Sequence, residues 1–167
     1  MSLALEKEDE IIIGVVLDPL RDEIYWALKG RGAYLNGQQI KVNQLYGLEG
    51  SLLATGFPFR TKKLLPQYLE IFRRLFLRTT GIRRAGSAAL DLAYVAKGVF
   101  SGFFEFGLSL WDIAAGSLLI EEAGGVVTDF RGGKEYFSTG NIIAGSPLVH
   151  REMLQIVKEV LEIKETN

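Results

Sequence analysis

Hydrophobic residues in the first quarter of the chain form short runs that are separated by turn sequences. Ile11–Leu17 is an almost unbroken apolar run, typical of a strand that is covered on both faces. The run Glu23–Leu28 follows a turn, and Asn36-Gly37 stands between two shorter apolar runs, a strong signal of a two-residue hairpin. The pattern predicts a meander of antiparallel strands, of which Leu3–Leu5 is the first.

After about residue 45 the pattern changes to strands that alternate with helices. Apolar residues recur at helical spacing from Leu65 to Phe76, which predicts an amphipathic helix. Three further helices are predicted at Ser87–Lys97, Ile113–Ala123 and Leu148–Ile163. Strands are predicted at Ser51–Thr55, Ile82–Arg84, Val99–Phe106, Val126–Phe130 and Asn141–Gly145. This alternation indicates a layered α/β fold with a partly parallel sheet, and we divide the chain into an antiparallel part, 1–45, and an α/β part, 46–167.

Composition narrows the class of protein. The chain has 167 residues, of which 48% are hydrophobic, and 19 basic residues nearly balance 20 acidic ones. These values predict a globular protein and argue against nucleic-acid binding, which needs a basic surface. We expect no membrane span and no signal peptide, and therefore a cytoplasmic protein. Without cysteine, catalysis would depend on carboxylates, hydroxyls, backbone groups or bound metal. The single histidine, His150, adjoins Arg151 and Glu152, and we expect it on the solvated surface.

One candidate for chemistry is Asp112, which directly precedes a predicted helix. The structural interpretation is that Asp112 caps this helix while Trp111 fills the core. The functional interpretation is that one carboxylate oxygen caps the helix and the other binds a cation at the carboxyl end of a strand. The nearest acidic partner is Glu105. It alternates with Phe104 and Phe106, so we expect its side chain to point away from their apolar face.

A second candidate is the start of another helix, at Gly86, Ser87 and Ala88. Free backbone amides at such a position can bind an anion or the hydroxyls of a ligand. The alternative is structural, with Ser87 capping the helix and the small residues allowing close packing.

Several ordered blocks resemble one known family. The segment Trp111–Gly116, followed by Glu122–Gly125, is similar to the C-terminal signature of the inositol monophosphatase family. The other blocks that carry this resemblance are Gly14–Pro19, Lys29–Gly37, Thr55–Phe59, Arg84–Ala89 and Asn141–Gly145. The resemblance runs from about Ser2 to Val160 and is strongest to bacterial members.

The resemblance implies a fold, an activity and a set of site residues. The fold would be a layered αβαβα sandwich of the inositol monophosphatase and fructose-bisphosphatase type, truncated at its N-terminus. The activity would be Mg²⁺-dependent hydrolysis of small polyol or sugar phosphates, by a homo-oligomer such as a dimer. Asp112 would bind metal and Glu105 would contact hydroxyls of the polyol, while Gly86, Ser87 and Ala88 would line the substrate pocket.

The chain also departs from the family pattern. The family's other metal ligands belong to a glutamate and to an Asp-Pro-(Ile/Leu)-Asp-Gly-Thr motif. The only similar stretch here is Asp18–Asp22, in which Arg21 stands in place of the second aspartate. We therefore expect the chain to correspond to the C-terminal two-thirds of such an enzyme, with its water-activating residues unidentified and with little or no activity alone. The alternative is a non-catalytic scaffold or ligand-binding module. An uncovered sheet edge and apolar face would favour oligomers.

Overall fold

The computed structural model describes residues 1–162 and begins with a five-stranded antiparallel sheet. Its strands follow one another in space as they do along the chain: β1 Ser2–Lys7, β2 Glu10–Asp18, β3 Glu23–Leu28, β4 Ala33–Leu35 and β5 Gln38–Ile40. Asn36 and Gly37 both have positive φ, 48° and 83°, as the predicted hairpin turn requires. The predicted meander is confirmed.

A second five-stranded sheet contains the remaining strands. These are β6 Leu52–Thr55, β7 Gly81–Arg83, β8 Gly102–Glu105, β9 Val126–Thr128 and β10 Ile142–Gly145. Their order in the sheet is β7-β6-β8-β10-β9. Strand β6 runs parallel to β7 and β8, whereas β10 is antiparallel to both of its neighbours. The prediction of a partly parallel sheet is thereby confirmed.

Five α-helices and one short 3₁₀ helix are described. The α-helices are α1 Leu65–Phe76, α2 Ala88–Ala96, α3 Leu110–Glu122, α4 Tyr136–Thr139 and α5 Pro147–Glu162, and the 3₁₀ helix is Lys62–Leu64. The four predicted helices begin and end within a few residues of these bounds, although the predicted end of the last one, Ile163, lies outside the described residues. Over residues 1–162, the helices do not combine the length and the apolar character that a membrane crossing requires.

The sheets and helices stack in four layers. Helices α2 and α3 lie between the two sheets, and α1 and α5 pack together on the outer side of the second sheet. This β-α-β-α order matches the last four layers of the predicted αβαβα sandwich. The central layer needs a close approach at Gly14, where an added Cβ atom would lie 2.8 Å from the carbonyl oxygen of Ala115 in α3.

The outer face of the first sheet differs from the prediction. Val16 points to the core and is 1% exposed, but its neighbours Val15 and Leu17 are only partly covered. On the same outer face, Leu3 is 58% exposed and Leu28 is 40% exposed. The prediction that Ile11–Leu17 is covered on both faces is therefore wrong for the described chain, because no described element packs on this side.

His150 is buried, and the prediction of a surface position is wrong. It is 4% exposed, and its Nε2 atom lies 2.8 Å from the Oγ1 atom of Thr128. The adjacent Arg151 and Glu152 suggested solvent, but His150 lies on the same helical face as Met153 and Val157, which are fully buried. Burial lowers the pKa of His150 to about 4, so the ring is neutral at pH 7.

We expect this buried histidine to make the fold sensitive to acid. Its pKa is lower in the folded than in the unfolded chain, so the unfolded chain takes up the proton first as the pH falls. The contribution of the neutral ring to the free energy of unfolding is fully present above about pH 6.5. It is lost between about pH 6.5 and 4, and the loss reaches about 3 kcal/mol. Urea unfolding at pH 7 and pH 4.5 measures this change in the free energy of unfolding. The His150→Gln variant should lose less stability than the wild type, and equal losses would contradict the prediction.

Candidate functional site

A cleft of about 590 Å³ lies where the first sheet meets the N-terminal ends of α2 and α3 and the end of β8. All five residues that the sequence singled out line this cleft, and they come from three different elements. They are Gly86, Ser87, Ala88, Glu105 and Asp112. The fold thus brings together residues that are up to 26 positions apart, since Gly86 and Asp112 are the outermost of the set.

Asp112 occupies the first turn of α3, although not the capping position that the sequence suggested. Ser109 is the N-cap, and the Oδ2 atom of Asp112 accepts a hydrogen bond from its backbone amide at 3.0 Å. This is the carboxylate part of a capping box. Trp111 is 71% exposed at the rim of the cleft rather than in the core, because α3 begins at Leu110 and turns the indole outward.

The Asp112 carboxylate retains an oxygen that can serve a ligand. Its side chain is 29% exposed, and Oδ1 makes no hydrogen bond to the described residues. The guanidinium of Arg60 lies 3.7 Å from Oδ2 and donates to the hydroxyl of Ser109. One oxygen therefore stabilises the helix start, and the other has no hydrogen-bond partner among the described residues of the cleft.

The start of α2 forms one wall of the cleft. Ser87 is the N-cap, in an extended conformation, and its hydroxyl accepts a long hydrogen bond of 3.5 Å from the amide of Leu90. Gly86 has a φ of +106°, a conformation that glycine adopts without strain. The structural interpretation of Ser87 as a cap is confirmed, and the first residues of the helix, whose amides have no partner within the helix, line the cleft.

Glu105 lies at the floor of the cleft and is 7% exposed. As predicted, it points away from Phe104 and Phe106, which belong to the core beneath α1 and α5. Its carboxyl group lies over Gly56, where an added Cβ atom would lie 2.1 Å from the carboxyl carbon. Burial, together with the negative charge of Asp91, raises the pKa of Glu105 to about 7.

Three charged residues of this cleft were given no role from the sequence: Arg60, Arg84 and Asp91. Asp91 lies in the first turn of α2, is 2% exposed and has a pKa that burial raises to about 7. Arg84 lines the cleft just before Gly86, and its positive charge lowers the pKa of both Asp91 and Glu105. The signal for Asp91 was available, because an acidic residue among Ala88, Ala89, Leu92 and Ala93 interrupts an otherwise apolar helix.

The turn Asp18–Asp22 does not supply a metal-binding motif. The carboxylate of Asp18 accepts hydrogen bonds from Arg21, at 2.7 Å, and from the amide of Leu20, at 3.0 Å. The hydrogen bond from Arg21 lowers the pKa of Asp18. Both oxygens thus stabilise the turn.

The described residues do not form a complete metal centre. Among residues 1–162 there is no cluster of three or more histidine or acidic side chains that could hold an ion. Mg²⁺ requires oxygen ligands in near-octahedral arrangement. Asp112 can contribute one free oxygen, and the neighbouring Arg60 opposes a cation there. The cleft fits one ligand of such a site but not the site as a whole.

Comparison with known proteins identifies the family. The model of the inositol monophosphatase family matches residues 1–163. "Nus factor SuhB" from Salmonella typhimurium is 48% identical over 161 residues, which are 96% of this chain and 60% of that protein. The chain thus spans about three-fifths of the length of this relative.

Solved structures agree with this comparison. The extragenic suppressor protein suhB from Bartonella henselae superposes with a TM-score of 0.91 at 42% identity, covering 94% of this chain and 60% of that one. Inositol monophosphatase from Anabaena (Nostoc) sp. gives a TM-score of 0.89 at 38% identity, with 95% and 65% covered. The family is of phosphatase type and generally metal dependent. By sequence and by fold, the chain belongs to the inositol monophosphatase family.

Proposed function

We propose that this cleft binds phosphomonoesters of small polyols or sugars, and that it takes part in their Mg²⁺-dependent hydrolysis when the remaining metal ligands are supplied. The observation that carries the proposal is the convergence of the α2 N-terminus, Glu105 and Asp112 on one cleft of a phosphatase-type fold. Helix amides suit the phosphate, and a carboxyl group suits the hydroxyls of the polyol.

Different residues of the cleft would bind different parts of the substrate. The amides at the start of α2 would hold phosphate oxygens, and Arg84 beside them adds positive charge. Glu105, at the floor, would orient the polyol. Mg²⁺, when bound, supplies neutralisation of phosphate charge, and Asp112 would be one of its ligands.

The 167-residue chain alone should bind substrate without turning it over. One carboxylate oxygen cannot hold Mg²⁺ firmly against water, so phosphate release from myo-inositol 1-phosphate should not exceed that of a blank. Binding should still be visible by NMR at millimolar ligand, as shifts of the amides of residues 84–91.

The protein contains its own control for this experiment. A second hollow of about 820 Å³ is lined by Leu45–Gly50, Leu77–Thr80 and Glu152. Its amides should not shift with the ligand. Turnover by the chain alone, or shifts at this second hollow and none at residues 84–91, would contradict the proposal.

A second candidate function is a binding role without catalysis. It is favoured by the name of the relatives, "Nus factor SuhB", at 48% identity. The test is a full-length SuhB that carries this chain's residues and the Asp112→Asn substitution. If the function is binding without catalysis, this variant should still perform the function of SuhB in the cell. If the function is hydrolysis, the variant should no longer perform it. The cytoplasmic location, the homo-oligomer and the absence of nucleic-acid binding stay predictions.

A further inference from the structure

Asp91 is a buried acid in the first turn of α2, where the helix dipole favours its charge but does not give its carboxyl group a hydrogen-bond partner. Its side chain is 2% exposed, and its Oδ1 atom has no hydrogen-bond partner among the described residues. Its backbone amide donates to the carbonyl of Ser87, so the helix hydrogen bond does not need the carboxyl group. Burying an unpaired carboxyl group destabilises a protein, and an alanine or leucine would pack here more favourably.

The surroundings of Asp91 point to a ligand. The residue lines the cleft beside Glu105, which comes from β8, and Arg84, which comes from the loop before α2. The charged groups that act on this pair are Arg84 on both acids, and Arg60 and Asp112 on Glu105. Both acids are more than nine-tenths buried and line the same cleft, and the negative charge of Asp91 raises the pKa of Glu105.

Near pH 7, the two carboxyl groups of Asp91 and Glu105 can both donate and accept hydrogen bonds. Burial raises the pKa of each to about 7, and the negative charge of Asp91 adds to the rise at Glu105, so a carboxyl group of this pair can hold a proton near pH 7. A protonated carboxyl group donates a hydrogen bond, and an ionised one only accepts. A hydroxyl group both donates and accepts. Two adjacent hydroxyls therefore complement the pair, whereas a phosphate group would meet negative charge.

We infer that Asp91 is a second substrate-recognition residue, which together with Glu105 binds two adjacent hydroxyl groups of a polyol phosphate. This inference rests on the proposed function, and it adds a residue and a preference to it. The phosphate end of the ligand lies at the start of α2, and the hydroxyl end lies at Asp91 and Glu105. The cleft thus selects phosphomonoesters that carry a vicinal diol over those that carry none.

The experiment compares two probes on the 167-residue chain by NMR titration at pH 7. One is myo-inositol 1-phosphate, and the other is methyl phosphate, a phosphomonoester without hydroxyl groups. The wild type should bind the inositol phosphate at least tenfold more tightly. The Asp91→Asn variant should lose that preference while its affinity for methyl phosphate stays the same.

Two variants keep the test decisive. Asp9→Asn, in an exposed turn, is the matched control and should retain the preference. If Asp91→Asn does not fold, Asp91→Ala serves in its place and should lose the preference in the same way. Thermal unfolding of Asp91→Asn should give a Tm equal to or above that of the wild type, whereas a purely structural Asp91 would give a lower one.

The outcomes separate this inference from the proposed function. Binding of both probes with equal affinity by the wild type, or an unchanged preference in Asp91→Asn, overturns the inference and leaves the proposed function standing. A parallel loss of both probes in Asp91→Asn likewise overturns it. If the wild type binds neither probe, the proposed function itself fails.

Discussion

Replacing Gly14 by valine is expected to prevent the chain from folding. Gly14 lies in the middle of β2, between Ala4 and Ala27, and faces α3. A Cβ atom there would meet the carbonyl oxygen of Ala115 at 2.8 Å and its Cα atom at 3.0 Å. These are backbone atoms of a central helix, so relief requires α3 to leave the sheet. We expect a loss of about 4 kcal/mol or more, comparable with the whole stability of many domains.

Circular dichroism and urea unfolding would measure this loss. Gly14→Ala should be intermediate, at about 2 kcal/mol, because a single methyl group requires a smaller shift. Gly81→Ala is the matched control: Gly81 also lies in a strand, but an added Cβ atom would first meet the end of the Arg83 side chain at 3.2 Å. It should change the stability by less than about 1 kcal/mol. A stable Gly14→Val protein would show that α3 does not depend on this contact.

Asp112→Asn should abolish hydrolysis in a chain that has been completed. The completed chain joins residues 1–167 to the part of Salmonella typhimurium SuhB that lies outside the matched segment, since the match covers 60% of SuhB. Asparagine can still accept the capping hydrogen bond from Ser109, but it carries no charge for Mg²⁺. We expect phosphate release to fall by about 100-fold or more, which corresponds to about 2.7 kcal/mol.

The control for this prediction is Asp9→Asn, which removes a carboxylate from an exposed turn that does not line the cleft. Its rate should equal that of the completed wild type. The Tm of Asp112→Asn should lie close to that of the wild type, which would separate loss of chemistry from loss of fold. Full activity of the Asp112→Asn protein would show that this carboxylate is not part of the proposed site.

Most of the fold was predictable because local patterns and the tertiary structure agree. The Asn36-Gly37 turn and the helical spacing from Leu65 to Phe76 specify their elements without reference to distant residues. Coverage of a strand is different, since it depends on what packs against it. The run Ile11–Leu17 could not show that its outer side is only partly covered in the described chain. The prediction for His150 was wrong for another reason. Its charged neighbours along the chain suggested solvent, but its helical spacing from Met153 and Val157 places it on the buried face.

The candidate site was predicted in part. Gly86, Ser87 and Asp112 stand at helix starts, which a sequence reveals through capping residues and glycines. Asp91 stands out in the sequence as an acid in an apolar helix, but only the structure shows that it is buried in the same cleft as Glu105. The position of the capping residue also needed the structure, because Ser109 and Asp112 are both good candidates and only the backbone shows that Ser109 precedes the first turn.

Phosphate release by the completed chain tests the central claim most directly. The rate with myo-inositol 1-phosphate is measured with and without Mg²⁺, beside equal amounts of the 167-residue chain and of the SuhB part alone. We predict release that requires Mg²⁺ and both parts in one protein, and none above blank from either part. A completed chain that folds and binds the substrate, yet releases no phosphate with Mg²⁺, would contradict the assignment of this cleft to phosphomonoester hydrolysis.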